Sequence, residues 1–90
     1  MSEFFRLASA LADVRRITEE FFSVQLTPSQ RKDDDTEFEA DLDIAPGRMP
    51  EFYDGLCKHF ELADGSFDGL EGYVSFASVA RRAVAKLSDS

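Results

Sequence analysis

The sequence predicts an all-α fold, a small bundle of three to four helices with a long loop between the first two main helices. Three segments repeat apolar residues at three- and four-residue steps, the period of an amphipathic helix. Most of the prolines and glycines fall between these segments, where they favour loops. The 90 residues include nine Phe and are 43% hydrophobic, which is enough for one domain over residues 1–90 with a modest core.

The first predicted helix runs from Ser2 to about Val24. Ser2 suits the N-cap and Glu3 the first turn, because a hydroxyl there accepts a backbone N–H and the helix dipole favours an acid. One apolar stripe should face the core. It comprises Phe4, Leu7, Leu11, Val14, Thr18 and Phe21, with Ala8, Ile17 and Phe22 beside it.

Residues 25–47 lose the helical period and predict a long loop. Thr27 and Pro28, with Gln30 three residues after Thr27, have the pattern of a short capped helix. The charged run 31–35 has no apolar anchor and should lie at the surface.

Apolar residues later in this loop should hold it against the core. A loop of this length is uncommon unless it is anchored, and Phe38 and Leu42 are the predicted anchors, with Ile44 supplying a further apolar contact. Residues 37–44 alternate polar and apolar, so a strand is the alternative for this segment.

The second main helix is predicted from Arg48 to about Phe60, after a break at Pro46-Gly47. Pro50 falls in the first turn, where its missing N–H costs little. Gly55 either lets another element approach closely or has no packing role. The apolar face comprises Met49, Phe52, Tyr53, Leu56 and Phe60.

Residues 61–72 hold three of the five glycines and predict a loop, with one helical turn around Phe67–Glu71 as an option. Phe67 and Leu70 should fill the core from the side. The last helix should begin at Ser75 as N-cap and end near Leu87. Its apolar face comprises Phe76, Val79, Ala80, Ala83, Val84 and Leu87.

Negative charge is concentrated in the middle of the chain. The net charge is −8, and residues 33–71, the acid belt, hold 13 acidic and 2 basic side chains. Such a field repels phosphate backbones and attracts basic surfaces, so it predicts a basic protein partner and no nucleic acid. The alternative is that the acid belt only keeps the protein soluble.

Cysteine usage and hydropathy predict a cytoplasmic protein with no membrane partner. Cys57 is the single cysteine and cannot form an internal disulfide, which favours a reducing compartment. The sequence shows no signal-peptide pattern and no apolar stretch near the length of about 18 residues that a membrane span needs.

The residue types predict no catalytic residues, no metal site and no cofactor. His59 is the single histidine, and Cys57 lies two positions away on a predicted helix, so the two face different directions and make no nucleophile–base pair. Alternating acids over residues 33–43 invite comparison with a calcium loop, but Phe38 and Ile44 stand where that loop needs Gly and Glu. The protein is therefore not expected to be an enzyme.

Several short motifs resemble those of acyl carrier proteins. They are Phe38-Glu39-Ala40-Asp41-Leu42, then Glu51, Leu56 and Phe60 at ungapped spacing, and the segment Ser75 to Ala80. The resemblance implies an acyl-carrier-like topology for the bundle. In the same register, the serine that carries phosphopantetheine in that family falls on Pro46, which has no hydroxyl. The nearest look-alike serine is Ser66, in a different loop.

The chain also looks like a group of short acidic bacterial proteins of unknown function that have an acyl-carrier-like middle. Phe60 to Phe67, followed by Tyr73, approximates the F-x-V-D-x-S-x-F ending of that group. The group often lacks the attachment serine as well.

Together these features predict a non-catalytic protein that docks on a basic partner without carrying an acyl chain. By resemblance, the carboxylates that bind the partner are Asp41, Asp43, Glu51 and Asp54. Tyr53 would be a central anchor, or would only edge the core. Two alternatives stay open: a true acyl or peptidyl carrier modified at an atypical serine, and an acidic inhibitor or immunity-type protein.

Overall fold

Two long helices, α1 (Glu3–Phe22) and α4 (Phe76–Asp89), pack against each other along the most extensive helix–helix contact of the computed structural model. The structure describes residues 3–70 and 74–89, with side chains described for 6–70 and 74–88. In chain order, three elements follow α1 and precede α4: α2 (Pro28–Lys32), a single 3-10 turn (Pro46–Arg48) and α3 (Met49–Phe60).

The prediction of a small all-α bundle with a long loop before α3 is confirmed. Over the described residues there is no strand, and one isolated antiparallel bridge pairs Glu37 with Ser75. No helix in this part of the chain is long and apolar enough to cross a membrane.

The core between α1 and α4 follows the predicted apolar stripes closely. Val14 and Thr18 are fully buried, and the Thr18 hydroxyl donates to the Val14 carbonyl at 2.6 Å, so it leaves no unpaired polar group. From α4 the buried residues are Phe76, Ala77, Val79, Ala80, Ala83 and Val84.

The end of the α1 stripe was predicted wrongly. The stripe continues from Thr18 to Phe22 by a four-residue step, so Phe22 is only 6% exposed while Phe21 is 40% exposed. Ala8, predicted beside the stripe, is exposed, and Ala10 is buried instead. Phe4 and the Ser2 cap lie outside the residues whose side chains are described.

The short helix α2 has the predicted capping box. The Gln30 N–H donates to the Thr27 hydroxyl at 3.2 Å, and the Thr27 N–H donates to the Gln30 side chain at 3.0 Å. The charged residues 31–35, of which the first two belong to α2, are all exposed, as predicted.

The loop after α2 is pinned by Phe38 and Ile44. The Phe38 ring lies 5.3 Å from the rings of both Phe52 and Phe76, so it joins the loop to α3 and α4. Ile44 is 2% exposed, whereas Leu42, the second predicted anchor, is only half-buried. The strand alternative is wrong beyond the isolated bridge, because N–H groups of residues 41–44 donate to carbonyls four to six residues back and coil the segment on itself.

Helix α3 agrees with the predicted helix from about Arg48 to Phe60, and Pro46 and Gly47 lie just before it in the 3-10 turn. Pro50 lies in its first turn, and its buried residues are Met49, Phe52, Leu56 and Cys57, with Tyr53 and Phe60 half-buried. A Cβ on Gly55 would meet nothing within 4 Å. The option that Gly55 admits a neighbouring element is therefore wrong.

Residues 61–70 form a series of turns. The Leu70 N–H donates to the Phe67 carbonyl at 3.4 Å and closes a single turn there, and Glu71, the predicted end of the optional helical turn, lies outside the described residues. Phe67 is buried and Leu70 half-buried, as predicted. Arg82 ties these turns to α4, because its Nη1 donates to the Ser66 carbonyl at 3.2 Å and to the Asp68 carbonyl at 2.7 Å.

The start of α4 agrees with the predicted Ser75 cap. The Ser78 N–H donates to the Ser75 hydroxyl at 3.2 Å, and the Ser75 N–H donates to the Ser78 hydroxyl at 2.8 Å. This reciprocal pair satisfies two backbone donors at the helix start.

Candidate docking surface

The two acids predicted on α3 are both exposed. Because Met49, Phe52 and Leu56 face the core, Glu51 and Asp54 are turned toward solvent by the helical period. Their placement leaves both carboxylates free to meet a partner at the surface.

The two acids predicted from the loop are also exposed, and both sit on an ordered backbone. The Asp41 carboxylate accepts the Glu37 N–H at 2.8 Å, which fixes its side chain. Asp43 has a left-handed backbone with φ of 57°, and its N–H donates to the Glu39 carbonyl at 3.1 Å. Short polar residues adopt this conformation more readily than most others.

Tyr53 is half-buried, with its ring stacked on Phe67 at a centroid distance of 5.6 Å and an interplanar angle of 15°. Burial raises the pKa of the Tyr53 phenol, and the nearby Arg82 cation lowers it in part. Tyr53 therefore edges the core and at the same time presents part of its ring at the surface.

Two grooves flank Tyr53. The first, which we call the loop groove, has a volume of about 330 Å³ and is lined by Glu39, Ile44, Pro46, Met49, Pro50, Tyr53, Leu70 and Val74. The second, the turn groove, has a volume of about 210 Å³ and is lined by Pro50, Tyr53, Asp54, Cys57, Gly65, Phe67, Asp68, Gly69 and Leu70. Pro50, Tyr53 and Leu70 border both grooves and form a ridge between them.

The structure brings only part of the predicted set together. Tyr53 and Asp54 meet at the turn groove, whereas Asp41, Asp43 and Glu51 are not among the residues that line either groove. Sequence reasoning missed Glu39, which is the one carboxylate among the described residues that line the loop groove. The residue lies inside the acyl-carrier-like motif, but only the folded loop shows that it borders this groove.

The basic side chains that form ion pairs do so away from this surface. Among the described residues, the ion pairs join Arg15 to Asp34, Arg16 to Asp13 and Glu20, and Arg31 to Glu19, and the His59 ring lies beside the Asp13 carboxylate. None involves the four predicted docking carboxylates or Glu39. Within the described residues, none of these five carboxylates has a cation at ion-pair distance.

Two cations of this part of the molecule, Arg48 and Arg82, are engaged in other contacts, whereas Lys58, four positions after Asp54 on α3, is exposed and makes no ion pair within the described residues. The Arg48 guanidinium lies 4.9 Å from the centre of the Phe22 ring, a distance at which a cation and an aromatic face attract each other. Arg82 donates to loop carbonyls.

Cys57 and His59 face different directions, as predicted. Cys57 is 3% exposed, and His59 is exposed with its Nε2 3.2 Å from an Asp13 carboxylate oxygen. The sequence did not reveal the His59–Asp13 pair because 46 positions separate its members. Within the described residues, no group of three or more His, Cys, Asp or Glu side chains could hold a metal ion.

The two positions compared with the carrier serine differ in exposure. Pro46 is exposed at the first residue of the 3-10 turn and lines the loop groove. Ser66 is buried, and its hydroxyl donates to the Ala63 carbonyl at 2.6 Å. Neither position presents a free hydroxyl at the surface.

No protein-family model matches the chain, and comparison with curated proteins and with solved structures found no significant match.

Proposed function

We propose that this chain is a non-catalytic, acidic, acyl-carrier-like protein that docks on a basic surface of a partner protein without carrying a phosphopantetheine arm. The observation that supports it best is the set of exposed carboxylates around α3 that have no ion-pair partner within the described residues. Two of them, Glu39 and Asp54, line the grooves on either side of Tyr53.

Charge on this surface would act mainly on the rate and orientation of docking. Exposed ion pairs contribute about 0.2–1 kcal/mol each, so four such pairs cannot supply high affinity alone. A clustered charge of one sign raises the association rate with an oppositely charged partner, and salt suppresses the effect.

The absence of an attached arm is part of the proposal. Pro46 occupies the position that the acyl-carrier resemblance assigns to the modified serine, and the Ser66 hydroxyl is buried in a hydrogen bond. Co-expression with a phosphopantetheinyl transferase should leave the mass of the protein unchanged. A mass gain equal to the arm would show that the protein is a true carrier.

The docking proposal is tested by capturing the partner from the native host and measuring its association rate. Glu51→Lys combined with Asp54→Lys should slow association strongly at low salt and weakly at high salt, because screening removes the long-range attraction. The matched control is Glu20→Lys combined with Asp64→Lys, which makes the same change in net charge at exposed positions outside both grooves.

The two pairs of variants separate the outcomes. Slowing confined to the Glu51 and Asp54 variant supports the docking face. Equal slowing in both variants would mean that only net charge matters, and an unchanged rate in the Glu51 and Asp54 variant would remove α3 from the interface.

A further inference from the structure

The loop groove is an apolar site held open by the core. Ile44 and Met49 form its floor and are themselves buried at 2% and 6% exposure. Pro46 and Pro50 restrict the backbone on one side of the groove, since the proline ring fixes φ. A groove with such walls needs little rearrangement to accept a ligand, which limits the entropy lost on binding.

The size of the groove restricts its occupant. Its volume of about 330 Å³ is at the lower end of the roughly 300–1,000 Å³ that small-ligand sites span. It fits one or two side chains rather than a whole helix. Pockets that receive a single large side chain are typical of the central anchor of a protein interface.

The charged side chains among the described residues that line the two grooves are all negative. Glu39 is the charged residue of the loop groove, and Asp54 and Asp68 are those of the turn groove; among the described lining residues there is no Lys, Arg or His. An anionic ligand would be repelled here. A second copy of this chain, with its own net charge of −8, is disfavoured for the same reason.

We infer that the loop groove receives an aliphatic or aromatic side chain of the basic partner, flanked in the partner by Lys or Arg that meets Glu39. This inference rests on the proposed function and adds the source of affinity that exposed ion pairs lack. Burying one Leu or Phe side chain contributes about 1.5–3 kcal/mol, which exceeds the contribution of a single exposed ion pair.

Three synthetic amphipathic peptides of about 14 residues, a length at which helices begin to be stable, test the inference by NMR titration of the backbone amides. The first combines Leu and Lys, the second replaces every Leu by Ala at equal charge, and the third replaces every Lys by Glu. The Leu/Lys peptide should shift the amides of Glu39, Ile44, Met49, Leu70 and Val74. It should bind at least about tenfold more tightly than the Ala/Lys peptide, the ratio expected from one buried side chain.

A variant pair separates apolar contact from charge. Pro46→Asp places a carboxylate in the groove wall at an exposed position. This variant should bind the Leu/Lys peptide about tenfold more weakly than the parent protein, because one apolar side chain of the peptide is no longer buried. The weakening is expected although the substitution makes the protein more negative. Gln25→Glu adds the same charge at an exposed position outside the groove and should not weaken binding.

Glu39→Lys is the second variant, for the case in which Pro46→Asp disturbs the 3-10 turn. Its side chain is exposed and makes no hydrogen bond or ion pair within the described structure. The Glu39→Lys variant should bind the Leu/Lys peptide more weakly than the parent and should have the same thermal unfolding midpoint.

Three outcomes would overturn the inference. In the first, the Leu/Lys and Ala/Lys peptides bind equally and the amide shifts are spread over the acidic surface. In the second, the Leu/Glu peptide binds in the groove. In the third, none of the peptides binds. The association-rate experiment with the captured partner tests the proposed function separately. If that partner is attracted by Glu51 and Asp54 but does not use the loop groove, the proposed function is supported and only the groove inference is wrong.

Discussion

The α1–α4 interface and the surface of α3 use their apolar residues differently. Between α1 and α4 the apolar side chains are closed off from water, and Arg15 and Arg16 of α1 pair with acidic side chains. Around α3 the inner face is just as buried, but Tyr53 and the prolines border open grooves and the acids are unpaired. The buried side chains of α1, α4 and the inner face of α3 thus support stability, whereas the proposed docking function belongs to the outer face of α3, so substitutions should separate unfolding from association.

The largest expected effect is on stability, from Phe52→Ala. Phe52 is fully buried, and its ring lies 5.1 Å from that of Phe22 and 5.3 Å from that of Phe38. Removing a buried Phe costs about 3–5 kcal/mol, which is comparable with the roughly 5 kcal/mol available to a domain of this size. Urea denaturation followed by circular dichroism should show a largely unfolded protein.

Phe21→Ala is the matched control on α1. Phe21 also contacts the Phe52 ring, at 5.8 Å, but it is 40% exposed. Its loss should cost less than about 1 kcal/mol, because little buried volume is vacated. Equal losses from the two variants would show that the aromatic cluster depends on its outer ring as much as on its centre.

Arg82→Met should have an intermediate effect, because Arg82 joins α4 to the turns beside α3. The variant loses the two hydrogen bonds to the Ser66 and Asp68 carbonyls, at an expected cost of about 1–2 kcal/mol for a partly exposed charged donor. Arg81→Met, at an exposed position of the same helix, should stay within about 0.5 kcal/mol of the parent. Similar denaturation midpoints for both would mean that the turns hold their shape without Arg82.

The sequence predicted the helices well because their apolar residues recur at the helical period. It failed where that period is ambiguous or absent. The adjacent Phe21 and Phe22 fit the stripe almost equally well, and only packing against Phe52 decides between them. Ile44 became a loop anchor because the chain coils between Glu37 and Ile44, and no periodic signal marks such coiling.

The candidate surface could be predicted only one residue at a time. The exposure of Glu51 and Asp54 follows from the buried face of α3. The existence of the grooves could not be predicted from helical periodicity, because the loop groove brings Glu39 together with Leu70 and Val74, which are distant in sequence. Their proximity depends on the pairing of residues 36–38 with 74–76.

A smaller effect, of opposite sign, is expected at the end of α3. Glu61 holds a left-handed backbone with φ of 57°, and the helix closes there as the Leu62 N–H donates to the Cys57 carbonyl at 2.8 Å. Glycine adopts this conformation without strain, so Glu61→Gly should stabilise the protein by about 0.5–1 kcal/mol. The measurement is the thermal unfolding midpoint.

Gly65→Ala provides the contrasting control in the turns. Gly65 has φ of 83°, and an added Cβ would lie 2.9 Å from an Asp68 carboxylate oxygen. This variant should lower the midpoint while Glu61→Gly raises it. A rise in both would show that the loop backbone relaxes freely around either position.

The smallest effect at neutral pH is expected at Tyr53, which lies on the boundary between the two regions. Burial raises the pKa of its phenol above the ordinary value of 10.0, with Arg82 partly opposing the shift. The folded state therefore favours the protonated phenol. The stability that this contributes is complete below about pH 10 and is lost as the pH rises through the pKa of the folded protein.

Tyr53→Phe should isolate this contribution. The free energy of unfolding of the parent should fall more steeply above pH 10 than that of the variant, with a constant difference at lower pH. Tyr73 is present in both proteins, so its ionisation in the unfolded chain cancels from the comparison. Parallel curves from neutral to alkaline pH would place the Tyr53 hydroxyl in water, and the ridge between the grooves would then belong wholly to the exposed surface.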